Sequence, residues 1–168
     1  LPQGTEFPEG NPPELSRYNS IGCGPGIGTN VSTASLLEDI ISQYRQPMIL
    51  DADALNLLSR NPSLLDTLPP FSILTPHQKE FDRLTGVHSN DFSRLQKAVE
   101  LARKYQIIII LKGHRSFIAM PGGRAWFNLS GNASMAKGGS GDVLTGMLTG
   151  LLSRGYVPEQ AALLGVFL

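Results

Sequence analysis

Apolar residues at positions 34, 36, 37, 40, 41 and 44 recur at the spacing of one helical face, which predicts a helix over residues 32–44. Before it, residues 20–23 read as a short strand running into the glycine loop GCGPGIG at 22–28. PMILD at 47–51 then reads as a buried-type strand. Residues 53–59 and 62–68 read as short helical turns, and SILT at 72–75 as another short strand. Thr75, Pro76 and Gln78 predict the next helix start, with a hydroxyl cap, Pro in the first position and Gln three residues on. That places His77 in a first turn.

Asp91 is the predicted cap of an amphipathic helix reaching about Tyr105. Residues 107–111, IIIIL, are a β-branched run of the kind that fills a central strand covered on both faces, and Lys112 and Gly113 mark its exit. Residues 116–120 and 124–128 flank Pro121, Gly122 and Gly123, a hairpin signal because glycine tolerates the positive φ of tight turns. Residues 140–154 carry apolar positions at 143, 144, 147, 148, 151 and 152; Gly155 stops that helix and Pro158 opens a last one. Alternating strands and helices with an inserted hairpin predict a three-layer α/β fold on a largely parallel sheet, whose ligands bind beyond the carboxyl ends of the strands.

Composition narrows the picture only in part. With 168 residues, 41% of them hydrophobic, the chain has the apolar surface for one real core. Four of the 12 prolines fall within residues 1–15, which predicts an irregular arm over 1–17 and a single domain over 18–168. Lys plus Arg and Asp plus Glu are 14 each, so no global field recruits nucleic acid or an anionic membrane, and phosphate recognition must be local. One cysteine, Cys23, allows no internal disulfide, and the longest aliphatic run is far too short to span a bilayer; a cytoplasmic setting is expected. The chain opens without Met and stops at Leu168 inside a helical pattern, so a truncated copy, incomplete at both ends and self-associating through its open sheet edge, is expected.

The strongest chemical signal is KGGSGD at residues 137–142, followed at once by an apolar helix. Where Gly139, Ser140 and Gly141 turn into that helix, free N–H groups and the positive end of the dipole make an anion site. Asp142 in the same turn could take a proton from an attacking hydroxyl, or could simply complement the dipole. A dinucleotide fingerprint fails at Ile27 and Thr29, and a P-loop fails because Lys137 precedes its glycines. The serine elbow fails with Asp142 where glycine is required. DADALN at 51–56 offers carboxylates at a strand end and just after it, where substrate hydroxyls or Mg²⁺-bound water could be held, or Asp53 could cap a helix. Lys112 could reach a nucleotide phosphate or base edge, or could simply be an exposed strand-terminal lysine.

In order, GPGIG, DADALN, TPHQKEF, LKGHRS and GNASMAKGGSGDVLTG resemble the ADP- or ATP-dependent NAD(P)H-hydrate dehydratases, whose fold is ribokinase-like. The likeness spans roughly residues 18–168 and departs from the family pattern at Ser134 and Lys79, where glycines are usual. The DADALN reading sets Asp53 on the substrate side, and the resemblance implies that Gly26, His77 and Asp142 meet the hydrated nicotinamide substrate. It also implies that Lys112, Gly113, His114, Arg115, Ser116 and Gly141 hold ADP or ATP, with Mg²⁺ and no dedicated protein metal ligand. Gly139, Ser140, Gly141 and Asp142 would form the catalytic turn that phosphorylates the substrate hydroxyl before phosphate is eliminated from hydrated NADH or NADPH. The competing expectations are a small-molecule hydroxyl kinase on the same fold and a non-catalytic nucleotide-binding fragment.

Overall fold

The computed structural model describes residues 12–129 and 139–168. Residues 1–11 of the predicted arm, and residues 130–138 with Ser134 and Lys137, lie outside the described residues. Six short strands form one sheet in sequential order: β1 (Ile21–Cys23), β2 (Met48–Leu50), β3 (Ile73–Leu74), β4 (Ile108–Leu111), β5 (Phe117–Ala119) and β6 (Ala125–Phe127). The first four are parallel, with Ile49 opposite Ile73 and Ile73 opposite Ile108, and the last three are joined antiparallel through the expected hairpin.

The parallel strands are connected by α1 (Val31–Gln43), by α2 (Ala52–Arg60) with a 3-10 stretch at Pro62–Thr67, and by α3 (Gln78–Thr85) and α4 (Asp91–Tyr105). Right-handed crossovers taken repeatedly in one direction put their helices on one face. The core confirms this: Leu50, Leu74, Ile109 and Leu111 pack with Leu37, Ile41, Leu55, Leu58, Phe81 and Leu101. The opposite face, Ile49, Ile73, Ile108, Ile110 and Ile118, is covered by Leu148 and Leu152 of α5 (Ser140–Ser153) and by Ala161 and Ala162 of α6 (Pro158–Phe167). The IIIIL run thus supplies both cores in alternation, which is why it carries no polar position. Upstream, a 3-10 turn at Leu15–Arg17 buries Leu15 in the first core.

Three helix caps differ from the predicted ones. Thr75 donates its N–H to Leu50 O, and Lys112 donates to Pro76 O, so sheet pairing keeps this segment extended as far as His77, which becomes the cap of α3. Asp51 rather than Asp53 caps α2, because the strand ends at Leu50, one residue before the end of the PMILD segment. Asn90 rather than Asp91 caps α4, its Oδ1 accepting from Ser93 N at 2.8 Å.

Candidate functional site

The carboxyl ends of β1 to β4 deliver the glycine loop, Asp51, His77 and Lys112 to one rim of the sheet, and α5 begins there from the other layer. Gly139, in a left-handed conformation with φ +91°, turns the chain into α5 and offers no side-chain cap. The first-turn N–H groups of Ser140, Gly141 and Asp142 have no partner within the helix, the situation that suits an anion. Asp142 is exposed, and its carboxylate makes no hydrogen bond or ion pair among the described residues.

Beneath that turn lies Asp51, almost wholly buried at 1% exposure. Its Oδ1 accepts from Lys112 Nζ at 2.7 Å and from Ala52 N at 2.8 Å, and its Oδ2 accepts from Thr145 Oγ1 at 3.1 Å. Gly141 fits closely over the pair: a Cβ there would stand 3.3 Å from Lys112 Nζ and 3.4 Å from Asp51 Oδ2. After Lys112, the residues Gly113, His114 and Arg115 are exposed, while Ser116 is half-buried and its carbonyl accepts from Asn128 N at 2.8 Å.

Gly24 presses the glycine loop onto the backbone of Asp51, whereas Gly26, at φ +66°, has nothing within 4 Å of its Cβ position and presents open backbone. Asp53 Oδ2 accepts from Gly28 N at 2.9 Å, so this carboxylate anchors the loop from α2. Beyond it, Thr29, Asp53, Asn56, Ser59, Arg60 and Arg83 line a cavity of about 320 Å³. His77 Nδ1 accepts from Glu80 N at 3.1 Å while Glu80 Oε2 accepts from His77 N at 2.9 Å, a reciprocal cap that leaves the ring half-exposed, and the His77 backbone bridges that of Lys112. Burial pushes the Cys23 thiol up to about 11, which makes it a poor nucleophile.

The structure therefore brings Gly141 and Lys112 together and sets the His77 backbone beside Lys112. Gly26 and Asp53 sit on the neighbouring loop and helix. No hydrogen bond or ion pair joins Asp142 to His77 or to residues 113–116. Two residues of the site were not predicted, Asp51 in this role and Thr145. The available signals were a carboxylate directly ending a buried strand and a hydroxyl on the same helical face as Leu148 and Leu152.

Among the described residues no group of three or more potential ligands could cage a metal ion. Asp51, the buried carboxylate at this rim, is already occupied by ammonium, amide and hydroxyl donors. Mg²⁺ carried by nucleotide phosphates and waters would need no such cage. Among the described residues no helix is long and apolar enough to cross a membrane.

A family model described as NAD(P)H-hydrate dehydratase matches residues 5–168. A bifunctional NAD(P)H-hydrate repair enzyme of Moorella thermoacetica is 38% identical over 156 residues, covering 92% of this chain and 29% of that protein. The ADP-dependent (S)-NAD(P)H-hydrate dehydratase of Bacillus subtilis is 39% identical over 156 residues, covering 90% of this chain and 53% of that protein. A crystal structure of the ADP/ATP-dependent NAD(P)H-hydrate dehydratase from Bacillus subtilis, co-crystallised with ATP/Mg²⁺, matches with a TM-score of 0.74 at 37% identity, over 89% of this chain and 52% of that one. A ribokinase from Thermotoga maritima shares the fold alone, with a TM-score of 0.55 at 17% identity over 87% of this chain and 46% of its own. This chain thus spans about half the length of the Bacillus protein and less than a third of the Moorella one. The match over residues 5–168, carried on a ribokinase-like sheet with its glycine-rich helix start at the rim, makes the chain a member of the NAD(P)H-hydrate dehydratase family.

Proposed function

We propose that the protein repairs hydrated NADH and NADPH, using ADP or ATP to phosphorylate the hydroxyl that water addition placed on the nicotinamide ring and then eliminating phosphate. The observation that carries this reading is the unpartnered Asp142 carboxylate in the same turn as the free N–H groups of α5, with the Lys112 ammonium against Gly141. Asp142 takes the proton of the substrate hydroxyl as its oxygen attacks the terminal phosphorus. The new P–O bond replaces the phosphoanhydride bond, and the nucleotide leaves one phosphate shorter. The N–H groups of Ser140, Gly141 and Asp142, with Lys112, stabilise the charge that builds on the transferring group. Mg²⁺, when bound with the nucleotide phosphates, adds charge neutralisation there.

Elimination follows from the substrate's own electronics. The ring-nitrogen lone pair expels the phosphate as its C–O bond breaks, and loss of a proton from the adjacent carbon restores the double bond. Gly26, Asp53 and His77 form the substrate side of the site, and the loop from Lys112 to Ser116 the nucleotide side. The chain acts in the cytoplasm and self-associates; exposed Leu163, Leu164 and Phe167 on α6 supply apolar surface for that contact.

The test is to incubate the protein with hydrated NADH and either ADP or ATP while following the absorbance of reduced nicotinamide. Recovery that requires nucleotide is expected. Phosphorylated substrate without recovery would mean a hydroxyl kinase, and no turnover with either nucleotide would overturn the reading.

A further inference from the structure

We propose that Asp51 is a positioning residue that holds the Lys112 ammonium and the start of α5 at one point, so that both address the same phosphoryl group; this rests on the reading above. Its carboxylate joins three elements that are remote in sequence. Oδ1 takes a proton donor from α2 and one from the end of β4, and Oδ2 takes one from α5, across separations of 1, 61 and 94 residues. Capping α2 needs a single acceptor. It explains neither the ion pair nor the Thr145 hydroxyl.

Stability alone does not account for the arrangement either. Burying an ion pair costs desolvation that the attraction repays only partly, and well-packed apolar residues commonly do as well. The backbone next to Asp51 is also strained, since Ala52 has φ +45°, a left-handed conformation that costs a non-glycine residue about 1–2 kcal/mol. Strain of this kind persists where surrounding contacts over-determine it.

The geometry assigns the benefit to α5 and Lys112. Asp51 is the sole hydrogen-bond partner of Lys112 Nζ among the described residues, so two of the ammonium's three donors are left for a ligand. The ammonium stands against Gly141, inside the turn that cradles the anion. On the sheet side, α5 is seated tightly: a Cβ on Gly22 would lie 2.3 Å from Thr149 Oγ1 and 3.2 Å from Thr145 Cγ2. Asp51 itself lies beneath Gly141, closed off from solvent at 1% exposure. Without it, the four-carbon stem of Lys112 is free to swing and α5 loses its hydroxyl tether. A misplacement of about 1 Å costs roughly 10²-fold in rate.

The experiment compares Asp51→Asn, Thr145→Val, Thr145→Ser, Lys112→Met and the double variant D51N/K112M in the intact protein. Asn keeps the cap acceptor but removes the charge from Lys112, Val removes only the α5 tether, and Ser restores it. ATP affinity, by titration calorimetry, should weaken about tenfold in D51N and in K112M, and the double variant should be no worse than either single one. Thr145→Val should lower kcat about tenfold with little change in KM for ATP, and Thr145→Ser should recover it. Should D51N fail to fold, the Thr145 pair decides alone.

Additive losses of ATP affinity in the cycle, or variants with lowered melting temperature but unchanged kcat and ATP affinity, would overturn the proposal. The two readings fail separately. A cycle that shows coupled ATP binding, in a protein whose wild type restores no hydrated NADH, refutes the dehydratase reading and leaves the role of Asp51 standing.

Discussion

Replacing Gly24 by Ala tests the close approach of the glycine loop to the floor of the site. Gly24 has φ +136°, and a Cβ added there would lie 1.8 Å from the Asp51 carbonyl oxygen, 2.7 Å from its carbon and 3.1 Å from its nitrogen. All three are backbone atoms, and Asp51 N is itself bonded to Cys23 O at 3.0 Å, so neither segment can yield alone. The φ value costs about 1–3 kcal/mol for a residue with a Cβ, and forcing the loop from β2 costs about 1–3 kcal/mol more. A loss of about 2–6 kcal/mol is expected, comparable to the ~5–15 kcal/mol that holds a typical domain folded. Gly26→Ala is the control: φ is +66° but nothing lies within 4 Å, so only the conformational cost of about 1–2 kcal/mol applies. Urea unfolding of both variants, with m-values compared, gives the answer. A Gly24→Ala protein within about 0.5 kcal/mol of wild type, or one more stable than Gly26→Ala, would refute the reasoning.

Other expectations follow from the same contacts. His77→Ala should cost about 1 kcal/mol through loss of the α3 cap and His77→Asn should restore it; if the imidazole also meets substrate, both variants lose turnover, whereas full activity in His77→Asn makes His77 a cap only. Arg94 binds Asp82 through Nε at 2.8 Å and Nη2 at 3.1 Å, and these hydrogen bonds hold the Asp82 carboxyl below the usual carboxylate range. Because that folded-state value is depressed, the stabilisation is complete above about pH 4 and is lost as pH falls through the lowered value, so the gap between wild type and Arg94→Met should be constant near neutrality and narrow in acid; a gap independent of pH contradicts this. ATP should raise the thermal midpoint, by stabilisation of about 2.7 kcal/mol at a hundredfold excess over Kd, and no shift at millimolar nucleotide would count against nucleotide binding.

What the sequence revealed follows the range of the interactions concerned. The IIIIL run announced β4 because a strand covered on both faces must be apolar throughout, and Pro121, Gly122 and Gly123 announced the β5–β6 hairpin because a tight turn is a local demand. KGGSGD likewise located the start of α5 to within a residue. The start of α3 departs from its local signal because tertiary pairing intervenes. Thr75 and Pro76 form a sound local helix signal, but the sheet holds them extended until His77. Lys112 was visible as a strand-end cation, whereas its partner Asp51 lies 61 residues away, and no periodicity connects them. Thr145 was hidden for a related reason, since a hydroxyl on a largely apolar helical face acquires meaning only when the sheet beneath supplies a buried carboxylate. Asp53 reads from the sequence as a substrate contact or a helix cap, and its bond to Gly28 N gives it a loop-anchoring role that neither reading contains.

The central claim is that Asp142 acts as the base on the substrate hydroxyl, and Asp142→Asn measures it most directly. The amide keeps the start of α5 and its N–H cradle and removes only the proton acceptor. Loss of a helix-start carboxylate costs about 0.3–1 kcal/mol in stability, whereas loss of a general base costs about 10²–10⁴-fold in rate, so melting temperature and turnover of hydrated NADH separate the two roles. The account predicts a variant that binds ATP, melts within a few degrees of wild type and turns over at least about a hundredfold more slowly. A variant that melts slightly lower yet restores hydrated NADH at the wild-type rate would contradict it and reduce Asp142 to a partner of the helix dipole.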